Sequence, residues 1–419
     1  MSRPPDIHID DLTDPRLPDE VLAQQEAVKP LLDQLAFDAD GVCAQASQET
    51  GLDDFGDPGF RERLDLLLRG FREEAGLSPL GLLSRHGLMV KHASNRLRIE
   101  DLIRRHPEIL DVEVSRPIVI AGLPRTGTTH LHNLISADPG MRSLPFWESN
   151  EPVPPPDEAA SPREPDPRIA RCAEMLAPQD LLLPHFKAMH EMTPEHVHEE
   201  IDLLALDFSS MGFETLGRMP SWRAWYSQAD QTPHYEYLKK VLKALQWQRG
   251  GTRWILKTSQ HLEQLDPLLS TFPDVTVVFT HRDPASVVLS LATMITYSAR
   301  LSDARVDAPA IGRYWCGRVK DQLEACVKER ERVPAAQSLD VLFHEFMADD
   351  IATVGRIYEL ADQPLPESSL AALRHYMDAH PRGRFGRVVY DPANFEFDLP
   401  ALREEFRFYT DRFGVRLES

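Results

Sequence analysis

Cysteine is scarce, with only Cys43, Cys172, Cys316 and Cys326 in 419 residues, and none of the four stands at metal-ligand spacing. That excludes a cysteine-based zinc module and a disulfide scaffold, and leads us to expect free thiols in a reducing compartment. Basic charge is also in deficit. Lysine and arginine total 46 against 66 acidic residues, a net charge of −20, which opposes general binding to nucleic acid or to anionic polysaccharide. No window is long and apolar enough to cross a bilayer. Residues 1–15 are polar and acidic, without the apolar segment of a secretory signal, so a cytoplasmic location is expected. A hydrophobic content of 42% is sufficient for a full core, and the length suits one large domain with an added region.

Against these absences stands one informative stretch, Arg116–Leu131. Ile118–Ala121 is short, β-branched and apolar, as in a buried parallel strand. Gly122 and Gly127 follow at the glycine spacing of a P-loop, whose backbone N–H groups cradle phosphate at a helix N-terminus. The P-loop lysine is missing. Thr128 and Thr129 take its place, and the nearest cation is Arg125, inside the loop. A ligand with a single phosphate at this point fits better than ATP. A P-loop kinase or NTPase would need that lysine and an acidic strand end for Mg²⁺, where this chain has Thr280-His281-Arg282.

The loop resembles the 5′-phosphosulfate loop of the sulfotransferases, which use 3′-phosphoadenosine 5′-phosphosulfate (PAPS). Pro124, Arg125, Thr126, Gly127, Thr128 and Thr129 match the family's P-R-[ST]-G-T-T pattern position by position. The longer bacterial type is the nearest in form. A second match lies in Val275–Leu291. A strand to Thr280 is followed by Arg282, a turn through Asp283-Pro284, and a helix that carries Ser290, eight residues after the arginine. The resemblance implies that Arg282 and Ser290 grip the 3′-phosphate, a task suited to the planar fork of arginine. A third match is the basic loop Arg382-Gly383-Arg384, implied to close over the same phosphate. Val341–Glu345 resembles the adenine-contacting segment, with Phe343 in place of a tyrosine.

The chemistry implied by the family falls on Lys257 and His261. Cytosolic members have K-T-H-L-P here, whereas this chain reads Lys257-Thr258-Ser259-Gln260-His261-Leu262, with the histidine two residues later. The resemblance makes His261 the general base, as suits a group that titrates near neutrality, and Lys257 the cation on the sulfuryl group. Met189–Ile201 offers a rival. A helix is expected from Glu195, after Thr193-Pro194. His196 and His198 would then point roughly 160–200° apart, which argues against a metal site. By resemblance to an H…P-x-E segment of the bacterial enzymes, His190 and Glu200 would line the acceptor pocket, with Glu200 an alternative base or an orienter of His261.

The fold expected is α/β: a three-layer, P-loop-like parallel sheet of Ile118–Ala121, Trp254–Leu256, Val275–Thr280 and Ser338–Phe343 with flanking helices. Residues 1–112 read as a helical N-terminal region, for packing on the core or for a homodimer. Residues 113–419 form the transferase domain, with 141–250 a helical cap for the acceptor. Glu148–Pro167, rich in proline, reads as an extended loop. The function expected is metal-independent transfer of a sulfuryl group from PAPS to a hydroxyl or amine of a small-molecule acceptor. A non-catalytic, nucleotide-binding relic and a P-loop kinase are the alternatives.

Overall fold

The computed structural model describes residues 4–161 and 163–418. Its centre is a four-stranded, all-parallel sheet of β2 (Ile118–Gly122), β3 (Ile255–Lys257), β4 (Thr276–His281) and β5 (Ser338–Leu342), in the order β3-β2-β4-β5. The expected strands are all present, each within a residue of its expected ends. In β2, Val119 and Ala121 join one apolar cluster while Ile118 and Ile120 join the other, as the two-residue period of a strand requires. Both faces are therefore covered, giving three layers. On the first face lie α4 (Thr232–Arg249), α5 (Pro284–Ala299) and α6 (Ala308–Glu329). On the second lie α3 (Thr128–Ser136) and α7 (Asp350–Ala361).

The chain moves outward to β3 after β2, crosses back to β4, and then runs outward the other way to β5. The strand order thus reverses between β2 and β4, and a crevice at their carboxyl ends is the usual ligand site of such sheets. The loop carrying Arg125 and the turn carrying Arg282 flank that crevice. Local chemistry fixes both. Gly127 has φ +86, and a Cβ there would meet the Phe343 ring at 3.3 Å. Asp283 caps α5 by accepting the Ala285 N–H at 3.1 Å, with Pro284 in the first turn.

Gly122 has no room for a side chain: a Cβ would lie 1.9 Å from Thr280 Oγ1, which is itself bonded to Thr126 Oγ1 at 2.7 Å. Gly122→Ala should therefore cost ~1–3 kcal/mol of stability by overpacking. Thermal denaturation would show this as a fall in Tm of several degrees, and an unchanged Tm would mean that the loop base is slack.

The N-terminal region is helical, with a helix over Asp19–Leu32 followed by α1 (Ala39–Thr50) and α2 (Phe60–Glu73). The helix Pro79–Arg105 completes it. These helices do not form a separate core. Val42, Leu64, Phe71, Met89 and Leu97 pack in one cluster with Phe208, Met211, Phe213 and Trp222. A further strand, β1 (Asp6–Ile7), pairs with β6 (Arg387–Val388), just beyond the basic loop.

Two expectations are corrected. Residues 195–200 are not a helix, which begins only at Ile201. Their backbone bonds instead to the strand-like segment before Phe146, through Phe146 N–H to His196 O at 2.8 Å and His198 N–H to Leu144 O at 2.7 Å. Those bonds are incompatible with a helical turn, so side chains alternate from side to side, and neither the His196–His198 angle nor the shared face of His196 and Glu200 applies. The proline-rich stretch is not extended throughout, because Phe146–Asn150 and Pro156–Ala160 are short helices. Among the described residues, no helix is long and apolar enough to cross a membrane, and all four cysteines are buried free thiols.

Candidate active site

Two cavities open at the carboxyl ends of β2 and β4. The first, about 610 Å³, is lined by Gly127, Arg282, Phe343, Arg382, Gly383 and Arg384 among others. The second, about 410 Å³, holds Lys257 and Glu199 at one end and is otherwise mainly apolar. Arg125, Thr128, Thr129 and His190 line both. A group bound at the helix α3 N-terminus would therefore stand in the wall between the two spaces.

The first cavity gathers Arg125, Gly127, Thr128, Thr129, Arg282, Phe343 and the Arg382–Arg384 loop, and each arginine already has a carboxylate or carbonyl partner. Arg282 forks onto Glu418 at 2.5 and 2.7 Å and lies over the Phe343 ring, 4.1 Å from its centroid. Arg382 pairs with Asp350, which His130 also reaches at 3.0 Å. Arg384 pairs with Glu191 at 2.5 Å. Gly383, at φ +72 with open space around its Cα, lets the loop turn without a side chain over the cleft.

Three loop and helix residues sit elsewhere than expected. Ser290 is buried and turned away from the first cavity, where its Oγ accepts from Arg125 Nε at 2.9 Å. It orients the loop arginine and does not line the phosphate cavity, because helix α5 aims that face at residue 125. Thr126 is buried at the loop base, donating to Leu123 O at 2.7 Å and meeting Thr280. Pro124 lines the second cavity. Arg125 itself has φ +72, a conformation rare for a side-chain-bearing residue, and is held there by Ser290, Met189 O and Tyr390.

The catalytic assignments are rearranged most. His261 is fully buried in a short 3₁₀ turn and lines neither cavity. Its Nε2 donates to Glu200 Oε1 at 2.6 Å and its Nδ1 accepts from the Tyr235 hydroxyl at 2.8 Å, so both ring nitrogens are occupied. Glu200 is equally buried. Its second oxygen accepts the Lys257 backbone N–H at 2.8 Å. Burial pushes the Glu200 carboxyl up, but the His261 hydrogen bond and charge, together with backbone N–H groups including that of Lys257, hold it below the ordinary value, ionised. Glu200 and His261 thus clamp the end of β3 from behind and line neither cavity.

What faces the second cavity is Glu199, ion-paired with the Lys257 ammonium. In an extended segment, adjacent residues point to opposite sides, so Glu200 enters the core while Glu199 enters the cavity. The His190 imidazole, at the shared wall, has no hydrogen-bond partner among the described residues. Burial, with His196 and Lys257 nearby, holds its imidazole well below the ordinary range and neutral. Among the described residues no three metal-ligating side chains converge.

The model of the sulfotransferase family matches residues 117–367. The chain belongs to the sulfotransferase family. It is similar in structure to sulfotransferase STF9 from Mycobacterium avium, with a TM-score of 0.81 and 28% identity over 92% of this chain and 98% of that one. It is also similar to STF1 from Mycobacterium tuberculosis H37Rv, with a TM-score of 0.77 and 29% identity over 88% and 97%. Among curated proteins none matches significantly.

Proposed function

We propose that this sulfotransferase takes PAPS in the first cavity and transfers its sulfuryl group to a hydroxyl of a small molecule in the second, with Glu199 as general base. The observation that carries the reading is the wall shared by the two cavities, built from Arg125, Thr128, Thr129 and His190. A 5′-phosphate on the α3 N-terminus would direct its sulfuryl group through that wall.

In the transfer, the acceptor oxygen forms a bond to sulfur as the bond from sulfur to the bridging phosphate oxygen breaks. The bond's electrons leave with 3′-phosphoadenosine 5′-phosphate (PAP). The acceptor proton passes to the Glu199 carboxylate and from there to solvent. Lys257 and Arg125 supply positive charge to the sulfuryl and bridging oxygens, and the rest is positioning, as in phosphoryl transfer. Ser290 holds Arg125, Glu200 and His261 hold the Lys257 backbone, and Phe343 offers an aromatic face to the adenine. Arg282, Arg382 and Arg384 take the 3′-phosphate, exchanging their internal carboxylates for it.

A thermal-shift comparison tests the donor. PAP should raise the Tm by several degrees at saturating concentration, by mass action on the folded state, while ATP with Mg²⁺ should not. Stabilisation by ATP–Mg²⁺ in preference to PAP would replace this reading with a kinase one.

A further inference from the structure

The second cavity has a polar feature that sulfuryl transfer does not use. His92, on the N-terminal helix Pro79–Arg105, lines the cavity and is nine-tenths buried; its Nδ1 is sealed from solvent without a partner, and its Nε2, the ring nitrogen left to the cavity, makes no hydrogen bond. It is held only by edge-on ring contacts with Phe208 and Phe213. Burial moves it down to about 4, so it is a neutral imidazole that both donates and accepts. A buried polar group without a partner is costly in a folded protein. Here the cavity offers a place from which a ligand group could satisfy it. Asp202 lines the same space and is bonded on one oxygen to His198 Nε2 at 2.9 Å.

The remaining walls restrict what can enter. Phe146, Met211, Phe213, Leu291, Met294 and Trp315 give apolar surface. Apart from Thr128 and Thr129 at the shared wall and Ser259, the hydroxyl hydrogens of the lining are already committed to backbone: Ser149 donates to Phe146 O, Ser210 to Ile201 O and Thr215 to Gly212 O. A sugar, with a hydroxyl on nearly every carbon, would find few partners. Away from Arg125 at the shared wall, charge is balanced too. Glu199 pairs with Lys257, and Asp202 is offset by His198 and by Lys91 on the same wall. An ionised acceptor body would bring a charge with no counterpart. The volume of about 410 Å³ suits a compact molecule and not a polymer.

Building on the transfer reading above, we propose that the acceptor is an uncharged, mainly apolar, ring-bearing diol. One hydroxyl is presented to Glu199 and Lys257 for sulfation, and the second is hydrogen-bonded by His92. His92 is then a specificity-determining residue, supplied by the N-terminal helical region.

The test uses matched probes on the PAP-loaded enzyme: 2,6-dihydroxynaphthalene against 2-naphthol, and 17β-estradiol against its 17-deoxy analogue, with glucose and 4-hydroxybenzoate as polar and anionic controls. Binding is read by calorimetry, and sulfated product by mass after addition of PAPS. In at least one pair the diol should bind about tenfold more tightly than the mono-ol, the yield of one added buried hydrogen bond, and the controls should bind more weakly than either. His92→Phe, which keeps the ring contacts, should abolish that difference while leaving PAP affinity unchanged. Met294→Trp, which fills the apolar wall, should weaken the estradiol-sized probes at least tenfold without affecting PAP. With PAP bound normally, the absence of a diol preference in both pairs overturns the proposal. So does a preference that survives His92→Phe, or better binding of a control. Failure of PAP to bind the unmodified enzyme overturns the transfer reading on which the proposal rests.

Discussion

Glu199→Gln should lower turnover by roughly 10²–10⁴ while leaving PAP affinity nearly intact, since a positioned general base contributes about that factor. His261→Gln should leave turnover within a few-fold. The difference follows from where the two side chains point. Glu199 lies in the second cavity against the Lys257 ammonium, and His261 lies behind it with Glu200 on one nitrogen and Tyr235 on the other. Glutamine at 261 keeps a donor for the Glu200 carboxylate. Alanine would leave that carboxylate buried and unpaired, at a cost of ~3–5 kcal/mol of stability, so a dead His261→Ala enzyme with a low Tm would say nothing about chemistry. Steady-state kinetics with the best hydroxyl acceptor, together with PAP calorimetry and a melting curve for each variant, separates the cases. A Glu199→Gln enzyme with full turnover would move the base to His190, the unpartnered neutral imidazole at the shared wall. A normally folded His261→Gln enzyme that binds PAP and has lost a hundredfold in turnover would return the role to His261.

The sheet and the phosphate loop were legible in the sequence because their determinants are local. A short β-branched run, a glycine whose Cβ would strike Thr280, a glycine at positive φ, and an Asp-Pro pair at a helix start each constrain only their immediate neighbours. Residues whose role depends on a distant partner were not legible in the same way. Ser290 stands at the right spacing from Arg282, yet its hydroxyl serves Arg125, 165 positions away. The 195–200 segment contains a good helix start, but its backbone is claimed by residues 144–146, and this one long-range pairing exchanges Glu199 for Glu200 as the carboxylate in the cavity. The N-terminal helices gave no functional signal in sequence because their contribution is a wall, and a wall exists only once Phe213 and Met211 pack beside them.

On the proposed reading, a partner that no motif signals should also affect donor binding. Arg282→Ala should weaken PAP by ~1.5–3 kcal/mol, roughly 10- to 150-fold, the range for a charge-assisted bond, and Glu418→Gln should strengthen it. The guanidinium fork of Arg282 is filled by the Glu418 carboxylate at 2.5 and 2.7 Å, and Glu418 is itself fixed at its backbone, its N–H donating to Asp283 at 3.0 Å and its carbonyl accepting from Arg403. A carboxylate and a phosphate compete for the same planar donor pair. The incoming 3′-phosphate must therefore break the Arg282–Glu418 pair before Arg282 can hold it. Both side chains are about a quarter to a third exposed, so solvent screens the pair and its loss should gain only about 1 kcal/mol, near fivefold in affinity. The gain should vanish in the Arg282→Ala background, since the two substitutions act on one contact. Calorimetric titration of PAP into the four proteins of this cycle gives the answer directly. If Glu418→Gln weakens PAP instead, the carboxylate is positioning Arg282 for the phosphate, and if Arg282→Ala leaves affinity unchanged, the 3′-phosphate is held by Arg382 and Arg384 without it.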